Sequence, residues 1–226
     1  MSKIFDLNGK VALLTGASKG MGLAMATGLA EHGATVIISA RKQDQLEAAA
    51  GQINKTCGAE RAIAVAANAG SKTELAALVE SARSSAGPID IVVGNAGVNP
   101  YFGPTSEISD AAYEKTMTTN VQSNLWLTQL VAEDMIQKGN GSLMFTSSIG
   151  AFKPSETLGT YGMSKLALIG LVRNLAAEYG PKELRFNAIC PGLIKTDFAR
   201  ELWETHKPKY RSSAKYRSGA WARLKI

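Results

Sequence analysis

The chain has 226 residues, 45% of them hydrophobic, with 22 glycines and a formal net charge of +6. One substantial core suits that length, and the absence of both a run of 18 apolar residues and a leader-like N-terminus gives no support to a membrane span or to secretion. The basicity is local: residues 205–226 hold seven of the 25 Lys/Arg (Lys207, Lys209, Arg211, Lys215, Arg217, Arg223, Lys225) and none of the 19 Asp/Glu, so the body is near neutral and a whole-protein argument for nucleic-acid binding fails.

Lys10-Val11-Ala12-Leu13-Leu14 is an apolar run of the kind that a buried parallel strand requires. A glycine turn follows, Thr15-Gly16-Ala17-Ser18-Lys19-Gly20-Met21-Gly22, and Leu23 to His32 then reads as a helix. Strand, glycine turn and helix aim backbone N–H groups and a positive helix end at a pyrophosphate. Gly16, Ser18, Lys19, Gly20, Met21 and Gly22 are the turn residues expected to meet a dinucleotide, although the spacing G-x-x-x-G-x-G differs from the usual G-x-G-x-x-G. Thr35-Val36-Ile37-Ile38-Ser39 is the second strand. Near its end an NAD site wants a carboxylate for the ribose 2′-hydroxyl, whereas this chain has Ala40-Arg41-Lys42. Arg41 and Lys19 suit a 2′-phosphate, which favours NADP(H) over NAD(H); the alternative is two solvated cations. Ala62–Ala66 is a third strand ending near Asn68, Lys72–Ala86 a helix, and Ile89–Val93 a fourth strand ending in Gly94-Asn95-Ala96-Gly97. The alternation predicts an α/β fold: a doubly wound Rossmann domain with a mostly parallel sheet and helices on both faces.

Further on, Tyr161 and Lys165 are four residues apart, one helical turn on one face, with Ser148 thirteen residues before Tyr161. A phenol titrates near 10 in water, and bringing it to about 7 takes about 4 kcal/mol of differential stabilisation, which a nearby ammonium helps to supply. Alternation in a strand Ser142–Ser148 turns only one of Ser147 and Ser148 toward such a site, and Ser148 is preferred. Cys57 and Cys190 have no framework spacing and read as reduced thiols, and no Cys/His/carboxylate pattern suggests a metal.

Thr15–Gly22, Asn95-Ala96-Gly97, Asn120, Ser147-Ser148, Tyr161-x-x-x-Lys165 and Pro191-Gly192, in that order, resemble the classical short-chain dehydrogenase/reductase family from about Leu7 to about Trp203. Val98–Gly103 and Pro191–Thr196 carry a closer similarity to its NADP-dependent carbonyl and retinal reductase-like members. The resemblance implies Tyr161 as general acid in carbonyl reduction and base in alcohol oxidation. It implies that Lys165 lowers the tyrosine pKa and holds the nicotinamide ribose, Ser148 bonds the substrate oxygen, and Asn120 supports a water relay to Lys165. It also places Asn68 near the adenine, and Asn95, Ala96, Gly97, Pro191, Gly192, Ile194 and Thr196 along the cofactor. A small carbonyl or alcohol substrate, a cytoplasmic location and a homo-oligomer are expected with it, and no nucleic acid or membrane partner. A non-catalytic NADP(H) sensor or scaffold on the same fold is the competing reading. Tyr101, Phe102, Phe152 and Leu158 are candidate walls of an apolar substrate pocket.

The resemblance is expected to cover residues 1–204 and to stop before the basic tail, 205–226. There the family continues with a covering helix, a last strand and a Pro-Leu-Arg-Arg-like stretch. Read one frame away, the codon junctions from Ala214 to Ile226 are compatible with Gln-Ile-Pro-Leu-Arg-Arg-Leu-Gly-Ala-Pro-Glu-Asp, and Trp221/Ala222 forces the glycine. The tail therefore reads as a frameshift product beginning between about residues 205 and 213. That implies a missing last strand and helix, and weakened activity, stability and assembly. A genuine basic tail, solvated or partner-binding, is the alternative.

Overall fold

The computed structural model describes residues 3–194. Six strands form one sheet: β1 Val11–Thr15, β2 Thr35–Ala40, β3 Ala62–Ala66, β4 Ile91–Gly94, β5 Gly141–Thr146 and β6 Leu184–Ile189. Their order is β3-β2-β1-β4-β5-β6, and every neighbouring pair is parallel. The helices are α1 Gly20–Glu31, α2 Gln43–Cys57, α3 Lys72–Ala86, α4 Asp110–Met117, α5 Ser123–Gln137 and α6 Gly159–Tyr179. This is the doubly wound α/β fold that the alternation predicts. Thr196 and the whole of 205–226, with the frameshift reading and the missing strand and helix, lie outside the described residues.

Parallel strands need crossovers, and the crossovers cover both faces. Period-2 alternation then divides the core in two. Leu13, Ile37, Val92, Leu143, Phe145 and Phe186 pack with α3, α5 and α6, while Ala12, Leu14, Val36, Ile38 and Val93 pack with α1 and α2. The strand order reverses between β1 and β4, so a crevice opens at their carboxyl ends, where open sheets of this kind bind ligands.

Two boundaries differ from the sequence expectation. Strand β4 starts at Ile91 rather than Ile89; just before it the Asp90 main chain still bonds Val11 and Ser142, and its side chain acts as a bracket. Its carboxylate accepts the Val11 N–H at 2.9 Å and pairs with Lys138 at 3.0 Å and Lys10 at 3.6 Å, joining β1 to the end of α5. Strand β5 ends at Thr146, short of Ser148. No described helix is long and apolar enough to cross a membrane.

Burial works to raise the Asp90 carboxyl, but the Val11 N–H and the two lysines hold it below the usual range. Its folded pKa is thus lower than its unfolded one, so its contribution is present above about pH 4 and is lost as pH falls through the folded value. Asp90→Asn is expected to cost about 1–2 kcal/mol in urea unfolding at pH 7, the scale of a hydrogen bond to a charged group. The gap between variant and parent should close as the medium is acidified, and a pH-independent gap contradicts this role.

Candidate active site

The site is assembled at the carboxyl ends of β1, β4 and β5. Thr15, the last residue of β1, accepts the N–H groups of Asn95 and Ala96 on its hydroxyl, both at 3.2 Å. Asn95 in turn donates to the Gly16 carbonyl at 2.9 Å and accepts from the Thr146 hydroxyl at 3.2 Å. The Ala17 N–H reaches Ser39 at the end of β2 at 3.1 Å, so turn and strand ends form one hydrogen-bonded unit. A Cβ at Gly22 would stand against the Gly16 carbonyl and 2.7 Å from Asn95 Nδ2, so only glycine permits this close return of the chain. Helix α1 begins at Gly20 with no side-chain cap, leaving its N-terminal amides directed at the crevice.

Lys19 in this turn and Arg41 just after β2 are exposed, and Ser18 in the turn and Met21 in the first turn of α1 are partly buried. Asn68 is exposed after β3, where its side chain accepts the Gly70 N–H at 3.0 Å. On the far side, Pro191 accepts the Ile149 N–H at 3.0 Å, which brings the Pro191-Gly192 loop, leading to Ile194, beside Ser148.

Ser148 and Ser147 are separated by their surroundings. Ser147 is buried, and its hydroxyl donates to the Lys165 carbonyl at 2.8 Å. Ser148 is partly exposed, accepts the Gly150 N–H at 3.0 Å, and is hydrogen-bonded to the Tyr161 side chain. Ser148 and Tyr161 therefore form one pair on helix α6 and the turn facing it. Lys165 is 3% exposed; its Nζ donates to the Thr146 carbonyl at 2.8 Å and lies 5.6 Å from the centre of the Tyr161 ring.

Asn120 is fully buried in a π-turn, Thr118–Gln122, that joins α4 to α5. Its amide accepts the Val98 N–H at 2.8 Å and donates to the Val98 carbonyl at 3.0 Å and to Ser164 at 2.9 Å. Its main-chain carbonyl accepts from Asn124 at 3.1 Å. Gly97 leaves the space between them open: a Cβ there would lie 3.3 Å from Lys165 Nζ and 3.5 Å from Asn120 Oδ1. Of the proposed walls, Phe102 and Phe152 are exposed, and the Tyr101 hydroxyl turns back to the Pro104 carbonyl at 3.2 Å.

A family model described as short chain dehydrogenase matches residues 10–207. The chain belongs to the short-chain dehydrogenase/reductase family. Human dehydrogenase/reductase SDR family member 4 is 38% identical over 204 residues, 90% of this chain and 72% of that protein. Among solved structures, a 7α-hydroxysteroid dehydrogenase complexed with NADH and 7-oxo glycochenodeoxycholic acid is 35% identical, with a TM-score of 0.81 over 85% of this chain and 74% of that one. A gluconate 5-dehydrogenase from Burkholderia cenocepacia in complex with NADP and tartrate is 27% identical, with a TM-score of 0.82 over 88% and 77%.

Two features of this short-chain dehydrogenase escape the sequence reading. The π-turn has no glycine or proline to announce it. Ser147 enters that reading only as a rival to Ser148, whereas its hydroxyl fixes α6 to the end of β5. The pKa balance also differs from the expected lowering of the phenol. Burial pushes Tyr161 above its ordinary value, and the Ser148 hydrogen bond pulls in the opposite direction. Burial also pushes the Lys165 ammonium down to about 8.

Folded Lys165 thus holds its proton less tightly than the unfolded chain does, near 10.5. Below pH 8 both states are charged and the full cost of about 3 kcal/mol is present; between about 8 and 10.5 the folded state sheds the proton first and stability rises with pH. Lys165→Met removes that cost and the bond to Thr146, worth about 1 kcal/mol. The variant is therefore expected to be about 2 kcal/mol more stable than the parent in denaturant at pH 7. That advantage should shrink steadily toward pH 10, and a difference that does not change with pH contradicts the buried ammonium.

Proposed function

We propose that this protein is an NADP(H)-dependent oxidoreductase that interconverts a carbonyl compound and a secondary alcohol. The observation that carries the reading is the meeting of the Ser148 hydroxyl and the Tyr161 phenol beside the buried Lys165 ammonium, in the crevice at the strand ends. The glycine turn fits a dinucleotide: Gly22 leaves the room that a Cβ would fill, and the uncapped start of α1 suits a pyrophosphate. Arg41 and Lys19, with no carboxylate in Ser39-Ala40-Arg41-Lys42, favour a 2′-phosphorylated ribose.

When bound, the nicotinamide supplies or accepts the hydride. Tyr161 donates its phenolic proton to the carbonyl oxygen in reduction and takes it back in oxidation. Ser148 donates to the same oxygen and stabilises the charge that develops there. Lys165 holds a positive charge beside the phenol and reaches toward the ribose, and Asn120 fixes the loop at Val98 that frames it. Asn95, Ala96, Gly97, Pro191, Gly192 and Ile194 line the nucleotide's path, with Asn68 toward the adenine. The protein is read as a cytoplasmic homo-oligomer, with 1–204 as the catalytic domain and 205–226 as a shifted-frame tail that weakens activity, stability and assembly. Sequencing the coding DNA tests the tail: no single-base indel restoring Pro-Leu-Arg-Arg sinks it.

Turnover is to be followed with NADPH and 2-butanone, cyclohexanone, diacetyl and acetophenone, on this chain and on a frame-restored form. Tyr161→Phe is expected to lower kcat/KM by about 10²–10⁴, the range for a positioned acid. Unchanged turnover in that variant removes Tyr161 from the chemistry. Arg41→Asp is expected to raise the KM for NADPH about tenfold or more while leaving that for NADH unchanged or lower. Equal effects on both nucleotides would rule out a 2′-phosphate contact.

A further inference from the structure

Ser164 is fully buried in α6, and the acid–base reading gives it no part. Its hydroxyl donates to the Tyr161 carbonyl at 2.7 Å and accepts from Asn120 Nδ2 at 2.9 Å. A hydroxyl has one proton, so the bond to Tyr161 leaves only lone pairs for Asn120. Asn120 cannot be turned round, because Oδ1 receives the Val98 N–H while Nδ2 serves the Val98 carbonyl and Ser164. A flipped amide would set oxygen against oxygen on one side and N–H against N–H on the other. The chain of bonds from Val98 through Asn120 and Ser164 to Tyr161 therefore has one polarity.

Back-bonding of a serine to the carbonyl three residues earlier is common in helices and marks nothing by itself. Here the accepting carbonyl belongs to the residue that carries the phenol. The other partner belongs to a π-turn, the kind of helix irregularity that recurs at functional sites. The hydroxyl thus joins two separate elements around Lys165, whose Nζ and Asn120 Oδ1 both face the space left by Gly97. Ser147 holds the same helix one residue later, at the Lys165 carbonyl.

We infer that Ser164 is a positioning residue: its hydroxyl locks the first turn of α6 to the π-turn and so sets where the Tyr161 phenol stands against Ser148. The inference rests on Tyr161 being the acid–base group. Tyrosine Cζ-labelled protein, with Tyr161 assigned through Tyr161→Phe, is titrated by ¹³C NMR over about pH 7–11, and kcat is compared for NADPH and its 4-deuterated form. In Ser164→Ala the phenol should lose part of its bond to Ser148 and titrate at least about half a unit higher, with the other tyrosines unmoved. Its kcat should fall about tenfold, its isotope effect should rise, and the KM for NADPH should stay within about twofold. Ser164→Cys, similar in size and a weaker donor, should move in the same direction by less, and it decides the matter if the alanine variant does not fold. A Tyr161 titration unchanged in a folded variant overturns the proposal, even where thermal stability has dropped. Turnover that survives Tyr161→Phe overturns the acid–base reading instead, so the two failures are read on different measurements.

Discussion

The arrangement at the strand ends turns on one buried ammonium. Lys165 is almost completely removed from water, and it meets the carbonyl of Thr146 and the face of an aromatic ring. A dehydrated cation in such company is costly, and most folds avoid it. This one can hold it because β5 ends at Thr146. A strand end leaves a carbonyl without a ladder partner, and the ammonium takes it. The same end supplies Ser147, whose hydroxyl closes on the main chain of Lys165. Head group and backbone of the lysine are therefore fixed by adjacent residues of one strand terminus.

That local solution depends on the sheet. All six described strands are parallel, so their carboxyl ends lie along one edge, and short polar residues there link neighbouring strands. Thr15, Asn95 and Thr146 form a continuous set of bonds from the glycine turn to the residue that holds Lys165. The glycine turn is thus connected to the lysine through three side chains. Among the described residues, the two buried side-chain atoms without a partner are Asn99 Nδ2 and Thr160 Oγ1. Both sit next in sequence to this edge, one beyond Val98 and one before Tyr161.

Much of this was legible in the sequence, for physical reasons that differ by element. Helix α3 begins and ends where expected, since Ser71 caps it by accepting the Glu74 N–H and Gly87 follows it. The runs Thr35–Ser39 and Ala62–Ala66 located β2 and β3, and the strand, turn and helix around Gly16–Gly22 gave the crevice its position. The choice of Ser148 over Ser147 agrees with the observed contacts, although the strand on which it was argued stops at Thr146. The chain stays extended after the strand ends, with φ −164° and ψ 153° at Ser148, so alternate side chains still face opposite ways. Strand β4 was placed early because Ile89-Asp90 reads as apolar with one polar member; only tertiary contacts show that Asp90 binds Val11, Lys10 and Lys138. The π-turn had no local signal. Its five residues, Thr118–Gln122, are ordinary helix neighbours, and the bulge follows from where Asn120 must reach. Strand β6 was not singled out, although Leu184 and Phe186 alternate with exposed Arg185 and Asn187.

The Tyr161 and Lys165 spacing predicts one face of one helix, and that much follows from helical geometry. It does not predict which way either group titrates. The expectation of a lowered phenol pKa took mutual attraction as the leading effect, whereas burial leads for both groups. It pushes the phenol up and the ammonium down, toward the neutral form in each case. The ordinary values of the two groups, 10.0 and 10.5, almost coincide, and burial moves them apart, the phenol upward and the ammonium down to about 8. Ser148 is the group that opposes burial at the phenol, so the acidity of Tyr161 depends on the distance between a turn after β5 and the first turn of α6. A small shift of that helix changes the hydrogen bond far more than it changes burial. For this reason the hydroxyls of Ser147 and Ser164, bonded to the Lys165 and Tyr161 carbonyls one helical turn apart, bear on that hydrogen bond through the backbone of α6.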